Sequence, residues 1–523
     1  MRNSPDQPQR RNQALTPDPV CSQSYQLVAQ IIRISQDDKR SPLHRAQKLI
    51  EIWNKTKRQL KEEPAVIVHM AQWMGKIGRE DPAVRRDPRT HSFMAEVAHA
   101  AKGQLRYFQP REFAQITLAF AYLNLNHSNL FEALQKATRE KMCLLDFQSL
   151  GNTAWAWATL GIRNEGFFNA LANEFMLRLA RAPQPQALEI APLNLVNIAW
   201  AFATLEIENT DLFHAVARCM IPKISAFSAQ NISNTAWAFA SAGILHDELF
   251  GALARQAIEK APEFTSQGIA NTAWAYATLR IRDEELFNTL GHHSSKKLDN
   301  LYNGGAEIKP QELANIAWAF AVLDVGHTEL FCSCADLATR SNSTINLSDR
   351  SLLAWSTTLH FPELVPAFID PSVLAHGDLD DVSWLQCYQA LLATGLIEPS
   401  QTFSRYESIV RSFRTETLNS FERQVEKALR GQFQDGQYTL QFGHIVAGIA
   451  TDFLLEYSGR RIIIECDGDK FHRSTGPNGG IPLGNDRLQD SLLTLHGYEV
   501  VHIRDSEVIS PNIQSILRSK LRL

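Results

Sequence analysis

The sequence has little of what a membrane protein, a disulfide scaffold or a zinc protein needs. No apolar run in its 523 residues is long enough to span a bilayer, because the longest helical segments meet Asn, Gln or charge within a turn or two. The seven cysteines (Cys21, Cys143, Cys219, Cys332, Cys334, Cys387 and Cys466) form no CxxC pair. An odd, scattered set reads as reduced thiols in an intracellular compartment, without a zinc site. Residues 1–22 carry no apolar h-region, which excludes a secretory signal. Arg2, Arg10 and Arg11 suit an organelle transit peptide, but Asp6, Asp18 and the lack of an amphipathic helix argue against one. The Pro-, Gln- and Asn-rich composition of that stretch is that of a disordered tail. Strong net charge is also missing, at −4 overall. The basic excess gathers in residues 1–106, while 107–381 is acidic. The bulk of the chain therefore lacks the basic footprint usual in nucleic-acid binders.

What is present is repetition. Asn152-Thr-Ala-Trp155-Ala-Trp-Ala158 returns as Asn197-Ile-Ala-Trp200-Ala-Phe-Ala203 and as Asn234-Thr-Ala-Trp237-Ala-Phe-Ala240, with further copies at Asn271 and Asn315. The tryptophans Trp155, Trp200, Trp237, Trp274 and Trp318 are separated by 45, 37, 37 and 44 residues. Leu118 and Trp355 continue the 37-residue step on either side, Trp73 hints at a degenerate first unit, and Trp384 at a last one. Such a period predicts an α-solenoid of two-helix repeats over residues 108–400, preceded by a helical lead-in at 23–107. Arg85, Arg86, Arg89 and Lys102 make that lead-in the basic part, which reads first as a solvated helix face. The alternate alanines allow close helix approach, and the Trp and Phe residues are expected to fill the space between layers. Pro362, Pro366 and Pro371 break the pattern near its end.

Four residues before most Asn copies stands a Gln (Gln148, Gln230, Gln267, Gln311), and seven after stands Thr or Ser (Thr159, Thr204, Ser241, Thr278). Spacing of four, three and four sets Gln, Asn, Trp and Thr on one helical stripe. A residue identical in every copy cannot by itself discriminate bases, so the Asn column is expected to be a structural ladder between repeats. The variable column three before each Asn (Ser149, Asn194, Asn231, Gly268 and Glu312) is the better place for base-reading side chains, if the repeats bind single-stranded RNA. The Asn-x-Ala-Trp-Ala-Phe-Ala core on a 37-residue step resembles heptatricopeptide repeats, and more distantly octotricopeptide repeats. Both resemblances imply organellar RNA binding.

Residues 401–523 change character. An amphipathic helix at Ser420–Arg430 is followed by strands at Tyr438–Phe442, Ile449–Leu455 and Arg461–Asp467, a helix from Asp486, and a strand at Tyr498–Ile503. Helix, three strands, helix, strand makes a small α/β domain. Asp452, Glu465 and Asp467 at strand ends could converge on Mg2+ or Mn2+, with His472 orienting water or a phosphate. Equally, Asp467 and Gly468 could simply hold a turn.

The string Ile464-Glu-Cys-Asp-Gly468-x-x-Phe-His472, with Asp452-Phe453 before it and Gly497-Tyr-x-Val-Val501 after it, resembles a RAP domain. That resemblance implies a restriction-endonuclease-like fold of the very-short-patch-repair-like branch, with Glu422, Asp452, Glu465, Asp467 and His472 in its acidic cluster. It also implies a mitochondrial or plastid role in RNA processing, stability or translation. The commoner nuclease pattern has Lys where this chain has Asp467, which leaves open whether the domain cuts RNA or recruits a nuclease that does. The competing readings are a protein-binding scaffold such as a bacterial effector, and a metal-dependent nuclease with an incidental helical arm. None requires a membrane.

Overall fold

A computed structural model describes residues 19–60, 63–181, 190–302, 308–340, 345–375, 379–398, 405–406, 409, 420–433, 437–467, 483–504, 507 and 513–522. The expected tail thus lies outside the described residues up to 18, and its last four residues already belong to a helix. The protein is mostly helical, with a small sheet region towards its C-terminus. It divides into two compact units, Met1–Cys219 and Met220–Leu523.

The first unit opens with α1 (Pro19–Ser35), α2 (Pro42–Leu60), α3 (Pro64–Glu80), α4 (Pro82–Arg86) and α5 (Pro88–Gln104). Then come α6 (Pro110–Leu123), α7 (Ser128–Glu140), α8 (Phe147–Thr159), α9 (Glu165–Arg181), α10 (Pro192–Thr204) and α11 (Thr210–Met220). Helices α3, α6, α8 and α10 pack in a row, and α5, α7 and α9 in a second row. Pro at the first turn of α3, α5, α6 and α10 suits a position whose N–H has no helical partner. Gly151 shows why small residues recur: a Cβ there would stand 2.9 Å from the Asn194 carbonyl oxygen of the neighbouring helix.

The second unit continues the same plan with α12 (Ala229–Ser241), α13 (Asp247–Glu259), α14 (Ser266–Thr278), α15 (Glu284–Tyr302), α16 (Pro310–Val322), α17 (Thr328–Arg340) and α18 (Leu347–Thr357). Two 3-10 turns at Pro362–Ala367 and Pro371–Ala375, where the prolines were expected to interrupt, lead into α19 (Asp381–Ala393). Helices α12, α14, α16, α18 and α19 form one packed row. Each motif-bearing helix from α8 to α16 has 13 residues, whereas the helices that follow them vary, with 17 in α9 and 19 in α15.

Of the two aromatics in each motif helix, the second is the fully buried one. The residues two after each motif tryptophan, Trp157, Phe202, Phe239, Tyr276 and Phe320, are at most 1% exposed. They meet the Phe of the second helices, as in the stacked Trp157–Phe167 pair at 4.4 Å and the edge-on Phe287–Phe320 pair at 4.9 Å. Basic residues late in the second helices reach back a whole repeat to cap carbonyls. Lys141 donates to Arg106 and Phe108, Arg178 to Leu145 and Met142, and Lys260 to Ser225 and Phe227. These cations satisfy orphan carbonyls of the 3-10 turns.

The α/β region of the second unit runs α20 (Ser420–Arg430), β1 (Tyr438–Phe442), β2 (Ile445–Val446), β3 (Ile449–Ala450), β4 (Phe453–Tyr457), β5 (Arg460–Asp467), α21 (Gly484–Leu495), β6 (Glu499–Arg504) and α22 (Ile513–Leu521). The expected helix–three strands–helix–strand order is present, with an added β2–β3 hairpin and a terminal helix. The sheet order is β1-β4-β5-β6, antiparallel except for the parallel β5–β6 pair. One sheet face buries Phe453, Leu455, Ile462, Ile464 and Ile503 with Val425 and Leu429 of α20 and Leu517 and Leu521 of α22. Helix α21 packs beside β6 and also against α16 and α19 of the repeat row. Its first residue must be small, because a Cβ on Gly484 would collide with the Ala321 carbonyl oxygen.

Candidate functional site

Two surfaces concentrate the residues singled out by the sequence. The first is the stripe along the motif helices. In the first unit Asn152, Trp155, Asn197 and Trp200 are all half-buried, as are Leu118 and Tyr122 of α6. Tyr122 lies 5.6 Å from Trp155, and Trp155 lies 6.4 Å from Trp200. The Asn197 amide donates to the Asn152 side-chain oxygen at 3.4 Å, so the expected Asn ladder exists here as a weak rung. At the start of the row, Arg79 sits over the Tyr122 ring at 5.2 Å and Lys76 over Trp73 at 4.2 Å.

The second unit repeats the arrangement. Asn234, Trp237, Asn271, Trp274, Asn315, Trp318 and Trp355 are half-buried, and Gln230, Gln267 and Gln311 are exposed. These tryptophans are thus mostly but not fully buried, and in the first unit Trp155 and Trp200 meet across neighbouring helices. A 13-residue helix in a packed row buries the face that carries its alanines and its second aromatic, and the Gln–Asn–Trp–Thr stripe is turned outwards. The row ends in a handover. The Trp355 indole donates to Gln389 at 3.1 Å, and Gln389 donates to the Ala447 carbonyl of the β2–β3 hairpin at 3.3 Å. Gln389, not Trp384, holds the next stripe position; Trp384 is fully buried and donates to the Leu374 carbonyl.

The column expected to read bases falls at the third residue of each motif helix, in its N-terminal turn. Ser149, Asn194 and Gly268 are buried, while Asn231 and Glu312 are half-buried. The backbone N–H groups of Ser149, Asn231 and Gly268 donate to the capping side chains of Asp146, Ser228 and Thr265. Glu312 accepts from the Lys309 N–H at 3.1 Å, the return half of a capping box. The sequence varies at this column because several residue types suit a helix N-terminus.

The second surface is the acidic group on the sheet. Asp452 precedes β4, and its carboxylate accepts the Cys466 N–H at 2.6 Å. Burial raises the Asp452 carboxyl above its ordinary range, and the negative charge of Glu422 on α20 adds to that. Strand alternation turns Cys466 to the α20 side and sends Glu465 and Asp467 to the α21 side. There Glu465 is pushed well above the carboxylate range by burial, with the Asp452 charge in support and His502 opposing. Asp467 faces the same histidine. His502 Nδ1 stands 2.9 Å from Asp467, and its Nε2 stands 3.1 Å from both Asp490 oxygens. These two carboxylates raise His502 to about 10 against the cost of burial, so at neutral pH it is an imidazolium donating at both nitrogens.

His472 lies outside the described residues. Among the described residues, no three His, Cys, Asp or Glu side chains are placed to hold a metal ion. Asp452 accepts a backbone N–H and Asp467 faces His502, while the charges of Asp452 and Asp467 both act on Glu465. Sequence reasoning missed His502 and Asp490. The usable signal was strand order: a parallel β6 beside β5 sets His502 opposite Glu465 in register.

Among the described residues no helix is long and apolar enough to cross a membrane. No curated protein matches the chain. Residues 171–357, which take in the motif helices from α10 to α18, match the family of RNA-editing substrate-binding complex 6 proteins.

Proposed function

We propose that the protein is an RNA-binding component of an RNA-processing assembly, in which the motif helices form a repeat array that holds a single strand. The observation that carries this reading is the outward stripe of half-buried Asn and Trp recurring on successive motif helices. Indole faces accept any base by stacking, and the amides supply both a donor and an acceptor beside them. The similarity of residues 171–357 to a family named for an RNA-editing substrate-binding complex supports the same class of role. The C-terminal domain, RAP-like in its Glu465-x-Asp467-Gly468 string, then engages the strand or a partner nuclease. Its carboxylates, occupied by Cys466 N–H and His502, favour binding over hydrolysis. The acidic balance of residues 107–381 favours one competing ligand, an extended basic peptide laid along the same stripe.

Anisotropy titration of the full chain with fluorescent single-stranded RNA tests the reading. Wild type should bind, and Trp237→Ala with Trp274→Ala should weaken binding by about tenfold or more. The same mixtures, incubated with magnesium or manganese, should yield no cut product. Unchanged affinity in the double variant, or a metal-dependent product lost in Glu465→Gln, would replace this reading.

A further inference from the structure

We infer that the repeat array holds its strand stretched and unstacked, by one contact repeated at each motif helix, and therefore binds tracts of RNA without reading a mixed sequence. The inference rests on the RNA-binding reading above and goes beyond it. A repeat protein that spells out a base order needs side chains that are both exposed and different from copy to copy. Here those two properties are separated. The stripe residues are the same in α12, α14 and α16, with the glutamines exposed and the Asn and Trp half-buried: Gln230, Asn234 and Trp237, then Gln267, Asn271 and Trp274, then Gln311, Asn315 and Trp318. The residues that differ (Ser149, Asn194, Asn231, Gly268 and Glu312) are buried or sit at helix caps.

The chemistry of the stripe points the same way. A primary amide presents a donor and an acceptor side by side, and turning it over exchanges them. It can meet the paired donor and acceptor of any base edge, so it adds hold without choice. Spacing sets the conformation of the strand. The Trp155 and Trp200 rings of neighbouring motif helices lie 6.4 Å apart, whereas stacked nucleotides rise about 3.4 Å. A strand that gives one base to each tryptophan cannot keep its bases stacked on one another. Charge completes the argument. Lys141, Arg178 and Lys260 donate to backbone carbonyls, and the Gln, Asn and Trp of the stripe are uncharged, so beyond Lys76 and Arg79 at the start of the row the stripe itself neutralises few phosphates.

The test uses the full chain with four fluorescent RNAs of about 20 nucleotides: oligo(A), oligo(U) and two unrelated mixed sequences. All four should bind within about tenfold of one another. Each should show a shallow salt dependence, with log K against log salt falling less steeply than about −3. The circular dichroism of stacked oligo(A) should collapse on binding. Trp237→Ala with Trp274→Ala should weaken all four together, while Trp237→Phe with Trp274→Phe, which keeps a ring at each place, should restore binding to within about threefold. Exchanging the cap residues (Asn231→Glu with Glu312→Asn) should leave the order of affinities unchanged. One mixed sequence bound about a hundredfold more tightly, an order altered by the exchange, or a retained oligo(A) stacking signal would overturn the inference while leaving RNA binding intact. Failure to bind any of the four, with capture of an oligo-lysine peptide instead, would remove the RNA reading itself.

Discussion

Asp324 of the repeat row is ion-paired to Arg487 of the α/β region, across 163 positions of sequence. Asp324 stands in the left-handed conformation just beyond α16, at φ 56°, and its side chain is only 8% exposed. His360 approaches the same carboxylate at 3.1 Å, and Arg282 donates to its backbone carbonyl. Burial alone would raise the Asp324 carboxyl, but the nearby His360 and the hydrogen bond from Arg487 hold it below the ordinary value. Arg487→Ala should therefore leave a buried carboxylate short of a partner and cost about 1–3 kcal/mol. Chemical denaturation checks the cost.

Gly484 tests the same junction sterically. Because its missing Cβ leaves room for the Ala321 carbonyl, Gly484→Ala should force α21 away from α16 and lower stability by about 1–3 kcal/mol. Gly459→Ala, whose Cβ would meet open space although its φ is 78°, serves as the comparison for backbone strain alone.

The two aromatics of one motif helix should differ sharply. Phe239 is fully buried, and Phe239→Ala should cost about 3–5 kcal/mol and reduce the cooperativity of unfolding. Trp237 is half-buried, so Trp237→Ala should cost about 1–2 kcal/mol. Equal losses in the two variants would mean that the stripe does not face outwards.

The sequence made this stripe legible but not its direction. Spacing of four, three and four grouped Gln230, Asn234, Trp237 and Ser241 correctly on one line of the helix. Hydrophobicity then favoured burying the tryptophan, and most of it is buried. What keeps it short of full burial is Phe239 two positions on, which takes the interior on the opposite side of the helix. The strands of the α/β region were equally readable from alternation. The His502 contacts were not, because Asp467, Asp490 and His502 come from three elements whose adjacency depends on sheet order.

The His502 bridge has a pH signature. Its imidazole is raised from an ordinary value of about 6.5 to about 10 by Asp467 and Asp490. A raised folded value means the bridge contributes fully below about pH 6.5 and that its contribution fades as pH climbs through about 10. The stability difference between wild type and His502→Gln should be largest at pH 6 and shrink towards pH 10. A difference that grows with pH would mean that the histidine is held neutral.

The constant 13-residue length of the motif helices, set against the variable helices behind them, separates calibration from tolerance. The longer steps between tryptophans, 45 and 44 residues instead of 37, coincide with the long helices α9 and α15. In both places the motif helices keep their 13 residues, and the helix behind them is one element that lengthens. The back is therefore where a fluorophore or an affinity handle can be grafted without recalibrating the front, and a deletion of even one residue within α12 or α14 would put the following tryptophan out of line.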